Sequence, residues 1–355
     1  MHGWRNFVWA VICGFAGIIL LLSVFILLMN PYGNLPHILL SEHVISDINQ
    51  RFQYPALVRS GRYDSIVLGA SDSRLMHPRA LERVFGGRFA NLAMNDGHAY
   101  EQYRLASLFV EEVRDRRTLV VGLDHVWCDT HADEERTTFR GFPEWMYDAD
   151  WWNDLRYMLN AKTVEISGRR FGQALGFKEA RFIDGYEVFT PPESEYDPVK
   201  VNGKLWGKVG RSIKPIVPPY TASAEQRASW RLPALAWLDE IATRFSGRMV
   251  FVFEPAHIVA QPQPGSVKAA RQEECKARIG EIARRHNAPF IDFNIRSEIT
   301  VNDSNWWDPH HYRLPIADRV VDDVERALAT GKDDPKGDWR YLEGPREEAL
   351  SSIAR

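Results

Sequence analysis

Cysteine is scarce in this chain, and so is patterned positive charge. Three cysteines, Cys13, Cys128 and Cys275, are too few and too far apart for a disulfide-stapled miniature fold or a thiolate metal centre. Cys128 and Cys275 can bond only if the fold brings them together. The default expectation for such sparse residues is two unpaired, partly buried thiols. Lys and Arg are scattered and the formal net charge is −3, which argues against a phosphate-tracking surface and a nucleic-acid partner. Internal repeats are absent. Long apolar runs are absent too, with one exception at the N-terminus. What remains is a chain of 355 residues, 45% hydrophobic, enough for one large domain or one domain with a sizeable insertion.

The exception is Phe7–Met29, a stretch with no charged residue. At about 1.5 Å per residue it reaches roughly 34 Å as a helix, enough to cross a hydrocarbon core. A cleaved signal peptide would have a shorter apolar region followed by a small-x-small site, and Leu28-Met29-Asn30-Pro31 offers none. The reading is an uncleaved, single-pass anchor. Arg5 precedes the run and no charge follows until Glu42, so the positive-inside rule expects a cytoplasmic N-terminus. The main domain would then be extracytoplasmic, in the periplasm if the membrane is a cell inner membrane.

After the anchor, residues 30–60 read as a stalk and first helix, 61–330 as an α/β domain, and 331–355 as a charged, partly loose tail. Apolar runs at Ser65–Leu68, Phe89–Leu92, Thr118–Leu123, Arg248–Phe253 and Pro289–Phe293 read as strands. Helical spacing falls between them at His77–Val84, Ala99–Arg114, Ala224–Phe245 and Ser266–His286, with a closing helix over Leu314–Ala329. Strands apolar on both faces, alternating with helices, predict a three-layer α/β/α fold around a parallel sheet. Regularity breaks over about 129–225, where prolines and tryptophans cluster, although Asp150–Leu159 has helical spacing. That stretch reads as an insertion over one end of the sheet, either a lid or groove wall or an elaboration with its own small core.

Open parallel sheets bind ligands beyond the carboxyl ends of their strands. Val67-Leu68-Gly69-Ala70-Ser71-Asp72-Ser73-Arg74 puts a serine in a small-residue turn at such an end. Serine needs a base to act as a nucleophile near neutral pH. Far along the chain, Asp308-Pro309-His310-His311-Tyr312 offers an imidazole with a carboxylate three residues before it. Asp308 would hold the His311 tautomer and stabilise its protonated form. Ser73 is a rival nucleophile, although the turn register favours Ser71. Arg74 could bind a substrate carboxylate or pair with Asp72. Glu254 and His257 follow a strand at the same edge and could touch substrate, but for His257 an ordinary solvated loop histidine is the plainer expectation.

Taken as an ordered set, Gly69-Ala70-Ser71, Asn91-Leu92-Ala93-Met94-Asn95-Asp96-Gly97 and Asp308-Pro309-His310-His311 resemble the blocks of the SGNH/GDSL hydrolase superfamily. The likeness runs from about Asn30 to Asp318, leaving out the insertion. It is nearest the membrane-anchored bacterial branch similar to alginate-type polysaccharide O-acetyltransferases. The resemblance implies a flavodoxin-like three-layer fold, a Ser71–His311–Asp308 triad, and an oxyanion held by the backbone N–H groups of Ser71 and Gly97 (or Asp96). The chain departs from the family pattern where Asp124 follows Gly122-Leu123 in place of an amide-donating asparagine, and where Asp96 aligns with the second-block glycine. A carboxylate at Asp124 would repel an oxyanion unless protonated or turned away.

The function expected from these readings is a tethered serine esterase or O-acyltransferase acting on an acyl ester of an envelope or secreted polysaccharide. The alternative is a non-catalytic scaffold or polysaccharide-binding subunit of an export or modification complex. Partners would be that substrate, the membrane through the N-terminal helix, and other envelope subunits. Neither a metal nor an organic cofactor is implied.

Overall fold

The computed structural model describes residues 2–33, 49–148, 150–155, 158–178, 183–207 and 213–343. Its strands are β1 (Ser65–Leu68), β2 (Phe89–Asn91), β3 (Thr118–Leu123), β4 (Arg248–Phe253), β5 (Phe290–Asp292) and β6 (Arg340–Glu343). They form one sheet in the order β2-β1-β3-β4-β5-β6. All neighbours are parallel except β5 and β6, which are antiparallel.

The two-faced apolar strands do what their composition requires. Ile66, Leu68, Leu119, Val121, Phe251 and Phe253 face one hydrophobic core, and Val67, Val120, Val250, Val252 and Ile291 face a second core on the other side. Period-2 alternation sends neighbours to opposite faces, so a sheet this apolar must be covered twice. The first core is closed by helices α2 (Gln50–Arg59), α4 (Ala99–Glu112), α7 (Ala234–Arg244) and α8 (Val267–Arg285). The second is closed by α3 (Pro78–Phe85), α6 (Pro198–Trp206) and α9 (Leu314–Thr330). The remaining long helices are α1 (His2–Met29) and α5 (Ala161–Ala174). Among the described residues, α1 is the one helix long and apolar enough to cross a membrane.

Four expectations change. The tail is not wholly loose: Arg340–Glu343 adds an antiparallel edge strand, so the sheet is mixed. Trp339 anchors that strand, being 2% exposed in the second core. The residues after 343, and most of the stalk (34–48), lie outside the described residues. The helix expected over Ala224–Phe245 is two, Ala224–Ser229 and Ala234–Arg244, because Pro233 cannot continue a helix from the residues before it. The expected helix from Asp150 shortens to Trp151–Asp154. Finally, Cys128 and Cys275 are not free thiols: they form a disulfide joining the segment after β3 to α8. Their separation of 147 residues hid this pairing from the sequence.

Candidate active site

β1 ends at Leu68 and the chain turns at once through Gly69 and Ala70. Gly69 must lack a side chain, since a Cβ there would lie 2.1 Å from the Ser73 hydroxyl oxygen. Gly122 on β3 is constrained by the same hydroxyl at 1.9 Å. Ser73 is therefore packed down between two strand ends. It is fully buried and donates to Glu254 Oε1 at 2.8 Å, which removes it as a rival nucleophile. Ser71 is left at the open side of the turn. Asn91, at the end of β2, clamps the turn: its buried side-chain amide donates to the carbonyls of Ser73, Arg74 and Met76.

The imidazole arrives on a separate support. Trp306 and Tyr312 pair across the base of a short loop, and both are fully buried. The Tyr312 hydroxyl donates to the Asp72 carbonyl at 2.6 Å, tying this loop to the serine turn. The result brings residues 240 apart in sequence together. His311 Nε2 lies 2.8 Å from Ser71 Oγ, and His311 Nδ1 lies 2.8 Å from Asp308 Oδ2. Asp308 Oδ1 also accepts the backbone N–H groups of His310 (3.0 Å) and His311 (2.9 Å). With Nδ1–H donated to the carboxylate, Nε2 is the acceptor for the serine hydroxyl. Partial burial pushes the Asp308 carboxyl upward. The hydrogen bond and charge of His311, with the two backbone donors, outweigh it and hold the carboxyl at about 2. It is therefore an anion at neutral pH, as an orienting carboxylate must be.

Ser71 and His311 of this trio open into a cleft of about 610 Å³. Asp96, Gly97, Asp124, His125 and His310 also line it, and the expected insertion supplies Arg140 and Phe189. So the insertion does form part of the wall. Phe189 stands edge-on to the His311 ring with centroids 5.2 Å apart. The Arg74 guanidinium lies 4.7 Å from the Phe189 centroid. Arg74 pairs with Glu187, not with Asp72, and it is 1% exposed, so it does not await a substrate carboxylate. Its other hydrogen bond goes to the Asn95 side-chain oxygen.

Other expected contacts fall elsewhere. The Gly97 N–H donates to the Met94 carbonyl at 3.1 Å and is already engaged. His257 is no solvated loop residue and no cleft residue. It is buried between Trp206 and Trp306 and bonds Asp303 at 3.1 Å. Asp124 does reach the cleft, but one of its oxygens caps the Val126 N–H at 2.9 Å. Burial raises the Asp124 carboxyl. Asp72 is raised well above its ordinary range, first by burial and then by the charges of Asp124, Glu254 and Asp308. Glu254 is pushed up to about 8 by burial and by Asp124, against the hydrogen bond from Ser73 and the 3.4 Å contact with the Tyr312 hydroxyl. A partly neutral acidic group thus lies beneath the triad.

One buried arginine, Arg51, was not singled out by the sequence, and the role of a second, Arg74, differs from the one expected. Arg51 is fully buried in a pair with Glu101 and also donates to the carbonyls of Asn95 (3.1 Å) and Asp96 (3.2 Å). Arg74 holds the Asn95 side chain. The turn at Asn95–Asp96, with Asp96 in the left-handed region (φ 53°), is therefore fixed from two sides. An arginine donates and never accepts, so it is the oxygen of Asn95 that faces Arg74. The Asn95 amide nitrogen has no acceptor among the described residues, and Asn95 lines the cleft. The helical position of Arg51 carries no signal for this role, because its partners are backbone carbonyls more than forty residues away.

No family model matches this chain, and no curated protein matches it.

Proposed function

We propose that this protein is a membrane-tethered, extracytoplasmic serine esterase or O-acyltransferase acting on acyl esters of an envelope or secreted polysaccharide, on an SGNH-like three-layer scaffold. The single observation that carries the reading is the continuous hydrogen-bonded line from Ser71 through His311 to Asp308 at the mouth of an open cleft. Ser71 Oγ attacks the ester carbonyl as its proton passes to His311 Nε2. The protonated imidazole, stabilised by Asp308, returns that proton to the leaving alkoxide, leaving an acyl-serine. Water (hydrolysis) or a sugar hydroxyl (transfer) then attacks the acyl carbon as His311 takes its proton; the bond to Ser71 Oγ breaks, and His311 returns the proton to that oxygen. Two groups suit the oxyanion: the Ser71 N–H and the Asn95 side-chain amide, which stands in for the asparagine replaced by Asp124. The disulfide agrees with an oxidising compartment outside the cytoplasm.

A non-catalytic scaffold is the second reading, favoured by the engaged Gly97 N–H and the acidic Asp124. Labelling of the full-length protein with a fluorophosphonate probe separates the two. The enzyme reading expects labelling that disappears in Ser71→Ala. A folded wild type that stays unlabelled, or labelling that survives Ser71→Ala, overturns it.

A further inference from the structure

α1 is exposed along most of its length, and only its last turns meet the body of the protein. There, Phe25 packs edge-on against Phe171 of α5 with ring centroids 5.9 Å apart. Beyond the helix end, Arg170 donates to the Asn30 carbonyl at 3.0 Å, and Tyr32 and Thr163 share a hydrogen bond of 2.9 Å. These contacts hold α5 against the outer end of the apolar helix. A hydrocarbon core of about 30 Å takes roughly 20 helical residues. Counted from Phe7, where the apolar run begins, that length ends close to Phe25. Phe171 therefore sits at the depth where hydrocarbon gives way to headgroups.

One face of α5 (Thr163, Ile166, Ser167, Arg170) is buried against the protein. The flank beside it is apolar and open: Phe171 is 44% exposed and Leu175 52%, and Phe177, just beyond the helix, is 80% exposed. Phe171 and Leu175 are four residues apart and share that flank. Lys162, Arg169 and Lys178 belong to the same stretch of chain. Large apolar side chains with basic residues among them are what a helix lying in the headgroup–acyl boundary presents.

We propose that the Phe171–Leu175–Phe177 flank is a second, peripheral membrane contact, lying in the lipid interface beside the spanning helix. It would fix the tilt of the catalytic domain, where a single helix would leave it free to swivel. The proposal rests on α1 spanning the bilayer, and the test reads that separately. Native Cys13, exposed and seventh in the apolar run, reports on α1. In Cys13→Ser backgrounds, Phe177→Cys and Leu175→Cys report on the flank, and Ser229→Cys, exposed at the end of the helix Ala224–Ser229, is the reference.

Each single-thiol full-length protein is labelled with NBD in detergent and reconstituted into nanodiscs with lipids spin-labelled shallow or deep. The expected result is deep-label quenching at Cys13 and shallow-label quenching at positions 175 and 177, at least about threefold above position 229. Cys13 quenched while 175 and 177 match 229 overturns the proposal. Cys13 unquenched overturns the spanning reading itself. Using both flank positions keeps the test valid if one variant misfolds.

Discussion

Replacing Glu254 by glutamine should make the fold less sensitive to pH. Glu254 is 2% exposed beneath the triad, and its carboxyl is pushed up to about 8. An unfolded chain releases that proton near the ordinary glutamate value, whereas the folded protein keeps it until about 8. Between those values the folded state binds more protons, so stability falls as pH rises. From about pH 5.5 to about pH 8 the loss from this one group is on the order of 3 kcal/mol. For a domain of this size that is about 5 °C in Tm.

The geometry suits glutamine. Ser73 donates to Oε1 at 2.8 Å, so the amide oxygen can take that place. The Tyr312 hydroxyl has one hydrogen, and its 2.6 Å contact with the Asp72 carbonyl is far shorter than its 3.4 Å contact with Glu254 Oε2. Its oxygen is thus open to accept from the amide N–H, as it would from a protonated Glu254. Thermal melts of wild type and Glu254→Gln in the same detergent, across that pH range, give the difference directly. The variant should melt higher at the alkaline end and converge with wild type at the acid end. Parallel curves would refute the assignment of a buried, proton-holding carboxyl.

Two further outcomes follow from the same contacts. If the Asn95 amide serves the oxyanion, Asn95→Ala should lower kcat on simple acetyl esters about a hundred- to a thousandfold, with KM little changed; an unchanged kcat beside an active wild type removes it from the mechanism. Breaking the disulfide in Cys128→Ser with Cys275→Ser frees a 147-residue loop in the unfolded chain. Chain entropy then sets a loss of up to about 5 kcal/mol, readable by denaturant titration, and a loss under about 1 kcal/mol would deny the bond any structural weight.

The parts of the fold legible in the sequence were those with local period. Val120 and Val121 lie side by side in an unbroken apolar strand, and they do face opposite cores. The spacing of Asp308 and His311 was readable because three residues suffice to bring carboxylate and imidazole together. Contacts built from single long-range hydrogen bonds had no such pattern. Arg51 and Arg74 look like ordinary charged residues until their acceptors are seen. Gly97 resembled an amide donor, yet its N–H closes a turn onto Met94. The edge strand at Arg340–Glu343 was hidden because a short strand full of charge reads as tail.

The position of Arg51 has a practical consequence for any truncated form. Arg51 is the second residue of α2, and its side chain braces the turn bearing Asn95 and Asp96. A soluble fragment designed to begin at the first strand, Ser65, would discard that brace along with α2 and leave Glu101 unpaired in the interior. Such a fragment could keep its serine, histidine and aspartate and still be inert. The N-terminal boundary of a usable ectodomain therefore lies before Asn49, whose side chain caps the helix that carries Arg51.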